Sequence, residues 1–87
     1  VAPLTKPPYF AVEVIPGSFG TFGGLRADGH ARALRADGSV IPGLYVAGAD
    51  AASPFGGFYP AGGINLGPAL TFGYRAAHHL AKQPRPT

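Results

Sequence analysis

Tyr59 is the only ionisable side chain in the stretch Gly56-Gly57-Phe58-Tyr59-Pro60-Ala61-Gly62-Gly63, which runs directly into an apolar segment of helical period. At neutral pH a phenol donates a hydrogen bond rather than taking a proton, so the chemistry open to Tyr59 is polarisation of a carbonyl. The plain alternative is an aromatic packing residue with a satisfied hydroxyl. The surrounding glycines let a ligand lie against the main chain and meet unblocked N–H groups, and a helix start adds partial positive charge suited to a group that turns anionic during reaction. The same composition also serves a purely structural loop.

Asp50 follows Gly48-Ala49 at the end of the short apolar run Leu44-Tyr45-Val46-Ala47. In α/β folds an acid placed just beyond a strand's carboxy end accepts hydrogen bonds from ligand hydroxyls. Capping the following turn is an equal reading of Asp50. The pair His78-His79 invites a metal, but helix neighbours point about 100° apart and no acidic or third histidine partner lies one turn away. Both are expected to be surface histidines, and no metal site is expected.

The elements that must position these residues are punctuated by turns. Val1 to Pro8 holds three prolines and reads as an irregular arm, while Tyr9 to Ile15 is aromatic and β-branched, ends at Pro16-Gly17 and predicts a strand with Glu13 opposite Val12 and Val14. Gly17 to Gly24 places four glycines among Phe19, Thr21 and Phe22, which suits backbone packed closely on something flat or crowded. Its spacing does not match a dinucleotide fingerprint. Leu25-Arg26-Ala27-Asp28-Gly29 recurs nine residues later as Leu34-Arg35-Ala36-Asp37-Gly38. Asp-Gly supplies the positive φ of tight turns, so the two copies predict a small β-meander around Ala31 to Leu34. Pro42-Gly43 predicts a further turn, and Leu44 to Ala47 a strand buried on both faces, as in a parallel sheet.

The last element is a helix from about Leu66 to Lys82, with Asn65 as N-cap, Pro68 in the first turn and Pro84 beyond the end. Ala69, Gly73 and Ala77 are stacked four apart for close backbone approach, and the apolar first half predicts burial. His78, His79, Lys82 and Arg85 complement the dipole at its carboxy end.

Composition narrows the function classes. Of 87 residues 46% are hydrophobic and 13% charged, so a packed body is expected rather than disorder. A body this short has a thin core and is expected to need a neighbour. The net charge of +3 is scattered without a basic stripe, against nucleic-acid binding. With Cys 0 there is no disulfide or thiolate site. No apolar stretch approaches the roughly 20 residues of a membrane span, which makes a cytoplasmic location the default. Val1 in place of an initiator Met, together with Met 0, suggests a piece of a longer polypeptide.

The runs Thr21-Phe22-Gly23-Gly24-Leu25, Ile41 to Gly48 and Gly56 to Gly73 resemble, in order, the carboxy-terminal end of the fumarate reductase and succinate dehydrogenase flavoprotein superfamily. The 3-ketosteroid dehydrogenase branch is the nearest in pattern. The resemblance implies an α+β segment, with a small β-meander, one buried strand and a long helix, completing an α/β FAD-binding domain of a larger chain. Residues 1–87 would be the C-terminal part of that domain, with strands and hairpins over 8–48, a Gly-rich flavin and substrate loop over 49–64 and the helix over 65–83.

It further implies FAD as cofactor, contacted by Gly48, Asp50, Ile64, Asn65 and Leu66, the last three through N–H groups near the flavin's pyrimidine carbonyl. Tyr59 and the Gly63 N–H would grip a substrate carbonyl together, stabilising the enolate as a proton leaves the neighbouring carbon and hydride passes to the flavin. The expected partners are a small-molecule substrate and the remainder of the polypeptide or a complementing chain, and the segment alone is expected to be inactive. Ala49 stands where many relatives of that family have Asn. The His-Gly-x-Asn-Arg element of soluble fumarate reductases is missing here, and Arg75, well inside the helix, is poorly placed for a dicarboxylate. Reduction of an unsaturated carboxylate and a noncatalytic interaction module are the alternatives to oxidoreduction beside a ketone.

Overall fold

A computed structural model describes residues 1–84. Arg85 and its expected place at the helix end lie outside them. Strand β1 (Arg32–Leu34) pairs antiparallel with β2 (Val40–Tyr45), a 3-10 turn covers Gly48–Asp50, and helix α1 spans Leu66–Ala81. The fold is a small α+β segment, a two-stranded sheet and one helix. No helix among the described residues is long and apolar enough to cross a membrane.

The repeated Asp-Gly units build the hairpin as the meander reading expected, with one difference. Around Asp37 the carboxylate accepts from the Ser39 N–H at 2.8 Å and the Ser39 hydroxyl at 2.6 Å, and Gly38 takes the positive φ of 90°. Around Asp28 the positive φ falls not on Gly29 but on Ala31, at 63°. The reason is the Asp28 carboxylate. It accepts the N–H groups of His30 and Arg32 at 2.9 and 3.0 Å and the Arg32 guanidinium through Nε at 2.7 Å, so the chain must curl back later. Burial pulls the Asp28 pKa upward, but the bonds from Arg32 and His30 outweigh it and hold the carboxyl below its ordinary range. An Ala27–Ala33 bridge adds residues 25–27 as a rudimentary third strand.

Three strand expectations are corrected. Tyr9 to Ile15 forms no strand and has no strand pairing among the described residues, and Phe10 is 89% exposed. A strand needs a partner for its N–H and C=O groups, and none of the described residues supplies one. Pro42-Gly43 is no turn between strands. It lies inside β2 as a bulge, with φ 76° at Gly43, because only Ala33 separates the paired residues of β1 whereas 41–44 separate theirs. Finally, the strand near 44–47 is antiparallel and only half covered, with Val46 buried but Leu44 exposed.

The core is made of Ala31, Ala33 and Val46. Helix α1 begins and ends within a residue of its predicted bounds. Its inner face carries Pro68, Ala69, Phe72, Gly73, Ala76 and His79, so Ala76 rather than Ala77 continues the small-residue row. A Cβ on Gly48 would sit 3.6 Å from the Ala69 methyl, and there helix and loop meet closely. The expected burial of the helix's first half is not seen, since Leu66, Leu70 and Tyr74, four apart, stand open to solvent.

Candidate functional site

The site is built where two Gly-rich segments cross. Leu25 forms a parallel bridge with Ala51, its N–H donating to the Asp50 carbonyl at 2.8 Å and its carbonyl accepting the Ala52 N–H at 2.9 Å. The Ser53 N–H extends the contact to the Phe22 carbonyl at 3.0 Å. Gly24 permits it, because a Cβ there would lie 2.5 Å from the backbone of Asp50 and Ala51. The glycines of 17–24 suit close backbone packing, and at Gly24 the packed partner is the 50–51 main chain.

Beside this crossing is a cleft of about 140 Å³ whose walls include Phe19, Thr21, Gly48, Ser53, Ile64 and Asn65. Gly48, Ile64 and Asn65 are thus brought to one place. Asp50 lines a neighbouring groove that shares Thr21, Val46 and Ala49 with the cleft, and Gly63 lines a third hollow that shares Ile64, Pro68 and Phe72. Two expected residues stand apart. The Leu66 side chain is turned to solvent, and Tyr59, 48% exposed, borders none of the three hollows, although its neighbour Pro60 lines the third.

Hydrogen bonding separates the residues already committed from those still open. Asn65 holds the N-cap position, but its side chain makes no capping bond; it donates from Nδ2 to the Phe19 carbonyl at 3.2 Å. Gly67 N–H donates to the Gly63 carbonyl at 2.8 Å, whereas the N–H groups of Ile64, Asn65 and Leu66, in and just after the turn over 62–65, make no well-formed hydrogen bond among the described residues. The Asp50 carboxylate makes no hydrogen bond there, so the turn-capping alternative is not realised. The Tyr59 hydroxyl is likewise uncommitted among the described residues, in contrast to Tyr9 on the Leu4 carbonyl at 3.0 Å and Tyr45 on His79 at 2.7 Å.

The donor set fits a flavin. Three adjacent main-chain N–H groups at a helix start match the carbonyl edge of a pyrimidine ring and carry the dipole's positive end. Asp28 is the only ionisable side chain on the main cleft among the described residues, and it is bound to Arg32, 2.6 Å from Nη2. The cleft therefore presents largely apolar walls, which suit a flat, largely uncharged group.

The sequence did not single out Phe19, Thr21, Phe22 and Ser53 as site residues, and the Thr-Phe-Gly-Gly run was the signal available. It also misplaced His79. That residue is half-buried against the hairpin, with its Nδ1 on the Tyr45 hydroxyl and its ring stacked on His30 at 4.6 Å between centroids. Arg75 is spent on the hairpin too, its Nε donating to the Gly29 carbonyl.

Comparison with known proteins gives the chain a family. The profile of the family described as FAD binding domain matches residues 2–66. The chain is 53% identical over 77 residues to a 3-oxosteroid 1-dehydrogenase of Mycobacterium tuberculosis, covering 88% of this chain and 14% of that protein. A 4-oxocyclohexanecarboxylate 2-dehydrogenase of Sinomonas cyclohexanicum is 43% identical over 83 residues, 95% of this chain and 14% of that one. A fumarate reductase (cytochrome) of Shewanella frigidimarina is more distant, 39% identical over 82 residues, 91% of this chain and 14% of the other. The chain spans about one seventh of the length of each of these relatives.

Proposed function

This chain belongs to the FAD binding domain family of flavoprotein oxidoreductases, and on that premise we propose that the intact protein oxidises or reduces a carbon–carbon bond next to a ketone on a steroid-like or smaller cyclic substrate. The observation that carries the reading is the row of N–H groups on Ile64, Asn65 and Leu66 that make no well-formed hydrogen bond among the described residues, beside a cleft that also takes in Gly48. The names of the relatives add ketones on rings, steroid in one case and cyclohexane in another.

FAD, when bound, supplies a hydride acceptor or donor at its ring. The residues of this chain do the rest of the work assigned to them. Ile64, Asn65 and Leu66 orient the ring edge through their N–H groups and favour the negative charge that reduction places there. Asp50 accepts from hydroxyls of the cofactor's polyol chain, and Gly48 gives that chain room. Tyr59 donates its phenolic proton in a hydrogen bond to the substrate carbonyl and Gly63 donates its N–H to the same oxygen. Together they hold the charge that appears on that oxygen when a base supplied by the rest of the intact protein takes a proton from the neighbouring carbon. Within the segment, 49–64 then acts as the flavin and substrate loop and 65–83 as the helix that aims it.

The test is to purify the intact polypeptide, record its flavin absorbance, and assay progesterone with an artificial electron acceptor beside fumarate with a reduced dye. Copurifying flavin and turnover of progesterone support the proposal. Turnover of fumarate alone would establish the unsaturated-carboxylate reading instead, and a stable protein without flavin or turnover would establish a noncatalytic module.

A further inference from the structure

Asn65 is doing two things at once. Its backbone continues the helix inward, with φ −81° and ψ −51°, where an N-cap residue ordinarily turns extended. Its carboxamide is thereby freed from capping and reaches across 46 positions of sequence to the Phe19 carbonyl. The opposing segment is shaped to receive it. A Cβ on Gly20 would lie 3.3 Å from Asn65 Oδ1, tighter than a side chain comfortably allows. Ser18 holds the same bend, its hydroxyl donating to the Gly20 carbonyl at 2.6 Å and accepting the Gly20 N–H at 3.1 Å. Phe19, Gly20, Thr21 and Phe22 then form one wall of the cleft whose other wall contains Ile64 and Asn65.

We propose that the Asn65 side chain is a positioning group that fastens the 18–22 bend as the substrate-side wall of the cleft, leaving only its backbone N–H for the cofactor; this rests on the flavin reading given above. The chemistry is specific. Nδ2 is a donor facing a carbonyl, so a carboxylate in its place meets that carbonyl with a second acceptor and repels it. A loose 18–22 segment misplaces Phe19 and Phe22 for an apolar substrate and leaves the N–H row at the helix start intact.

The experiment uses the intact flavoprotein and two variants that attack the tie from opposite sides, Asn65→Asp and Gly20→Ala. Flavin content is read from absorbance, amide exchange of peptides covering 17–23 by mass spectrometry, and KM and kcat with progesterone. Both variants are expected to retain flavin and to exchange 17–23 on the order of fivefold faster, as loss of one hydrogen bond gives. For Gly20→Ala KM is expected to rise several-fold at nearly unchanged kcat; Asn65→Asp, which sets a new negative charge at the helix start, is judged by exchange and flavin content and not by kcat. Unchanged exchange over 17–23 in both variants overturns the proposal, as does loss of flavin from Asn65→Asp with exchange unchanged, which would put the side chain on the cofactor. If Asn65→Asp does not fold, Gly20→Ala decides alone. Should the wild-type protein carry no flavin, the functional reading fails while the exchange measurement still judges the tie.

Discussion

The Tyr45 hydroxyl and His79 Nδ1 lie 2.7 Å apart and join the end of β2 to the last turns of α1. With the imidazole neutral, Nδ1 accepts from the phenol. His79 is held below the ordinary histidine value of about 6.5, chiefly by loss of hydration, then by His30, Arg32 and Lys82, with Asp28 pulling the other way. The proton therefore binds the undocked helix end more tightly than the docked one, so the contribution of His79 to docking is fully present above about pH 6.5 and is lost as pH falls through the depressed native value. Amide exchange of the 78–82 peptides in the intact protein should rise from about pH 8 to about pH 5 after correction for intrinsic rates. His79→Gln should flatten that dependence, and a wild-type profile already flat would refute the assignment.

Tyr59→Phe removes one of the two donors proposed for the substrate carbonyl. Turnover should fall by about a hundredfold to a thousandfold, the usual effect of losing one such donor, with flavin content unchanged. Steady-state kinetics of the intact enzyme decide it; wild-type kcat in the variant would remove Tyr59 from the chemistry.

Gly24→Ala drives a methyl into the Asp50–Ala51 backbone, and overpacking of this kind costs about 1–3 kcal/mol. Gly23→Ala is the control, since a Cβ there meets nothing within 4 Å, and it should stay within about 0.5 kcal/mol of wild type. Denaturant midpoints of the two variants should separate clearly, and equal midpoints would mean that the crossing of 24 over 50–51 does not exist in solution.

Asp28→Ala strips the acceptors from the His30 and Arg32 N–H groups and the Arg32 guanidinium. A loss of about 1–2 kcal/mol is expected for this half-exposed turn, and Asp28→Asn, which keeps one acceptor, should lose less. Because the carboxyl is held below its ordinary range, its contribution is present above about pH 4 and fades only under acid, as a urea titration at two pH values would reveal. Equal losses in the two variants would show that the carboxylate does not organise the turn.

Helix α1 was legible because caps, period and the terminal Pro84 agree and a helix satisfies its own backbone. The hairpin was legible because Asp28 and Asp37 name their turns. Failure came where structure depends on what lies opposite. Tyr9 to Ile15 has strand composition without a pairing partner, and Leu66, Leu70 and Tyr74 have core composition without a surface above them. Neither Ala31 nor the bulge at Pro42-Gly43 announces itself, because each arises from a neighbour's hydrogen bonds rather than from its own residue type. At the site, Gly48, Ile64 and Asn65 came together because they are linked to the two ends of one loop. The wall at Phe19 to Phe22 is set by contacts over 46 positions, which local pattern does not carry.

The helix is fastened by Tyr45–His79 over 34 positions and by Arg75–Gly29 and Asn65–Phe19 over 46 each. Whichever forms first raises the effective concentration for the other two, since it shortens the loops they still have to close. The clasps therefore act as mutual insurance. Removing the Arg75 or the His79 contact by itself leaves the other to hold the helix against the hairpin, whereas deleting both together should destabilise by more than their separate effects added.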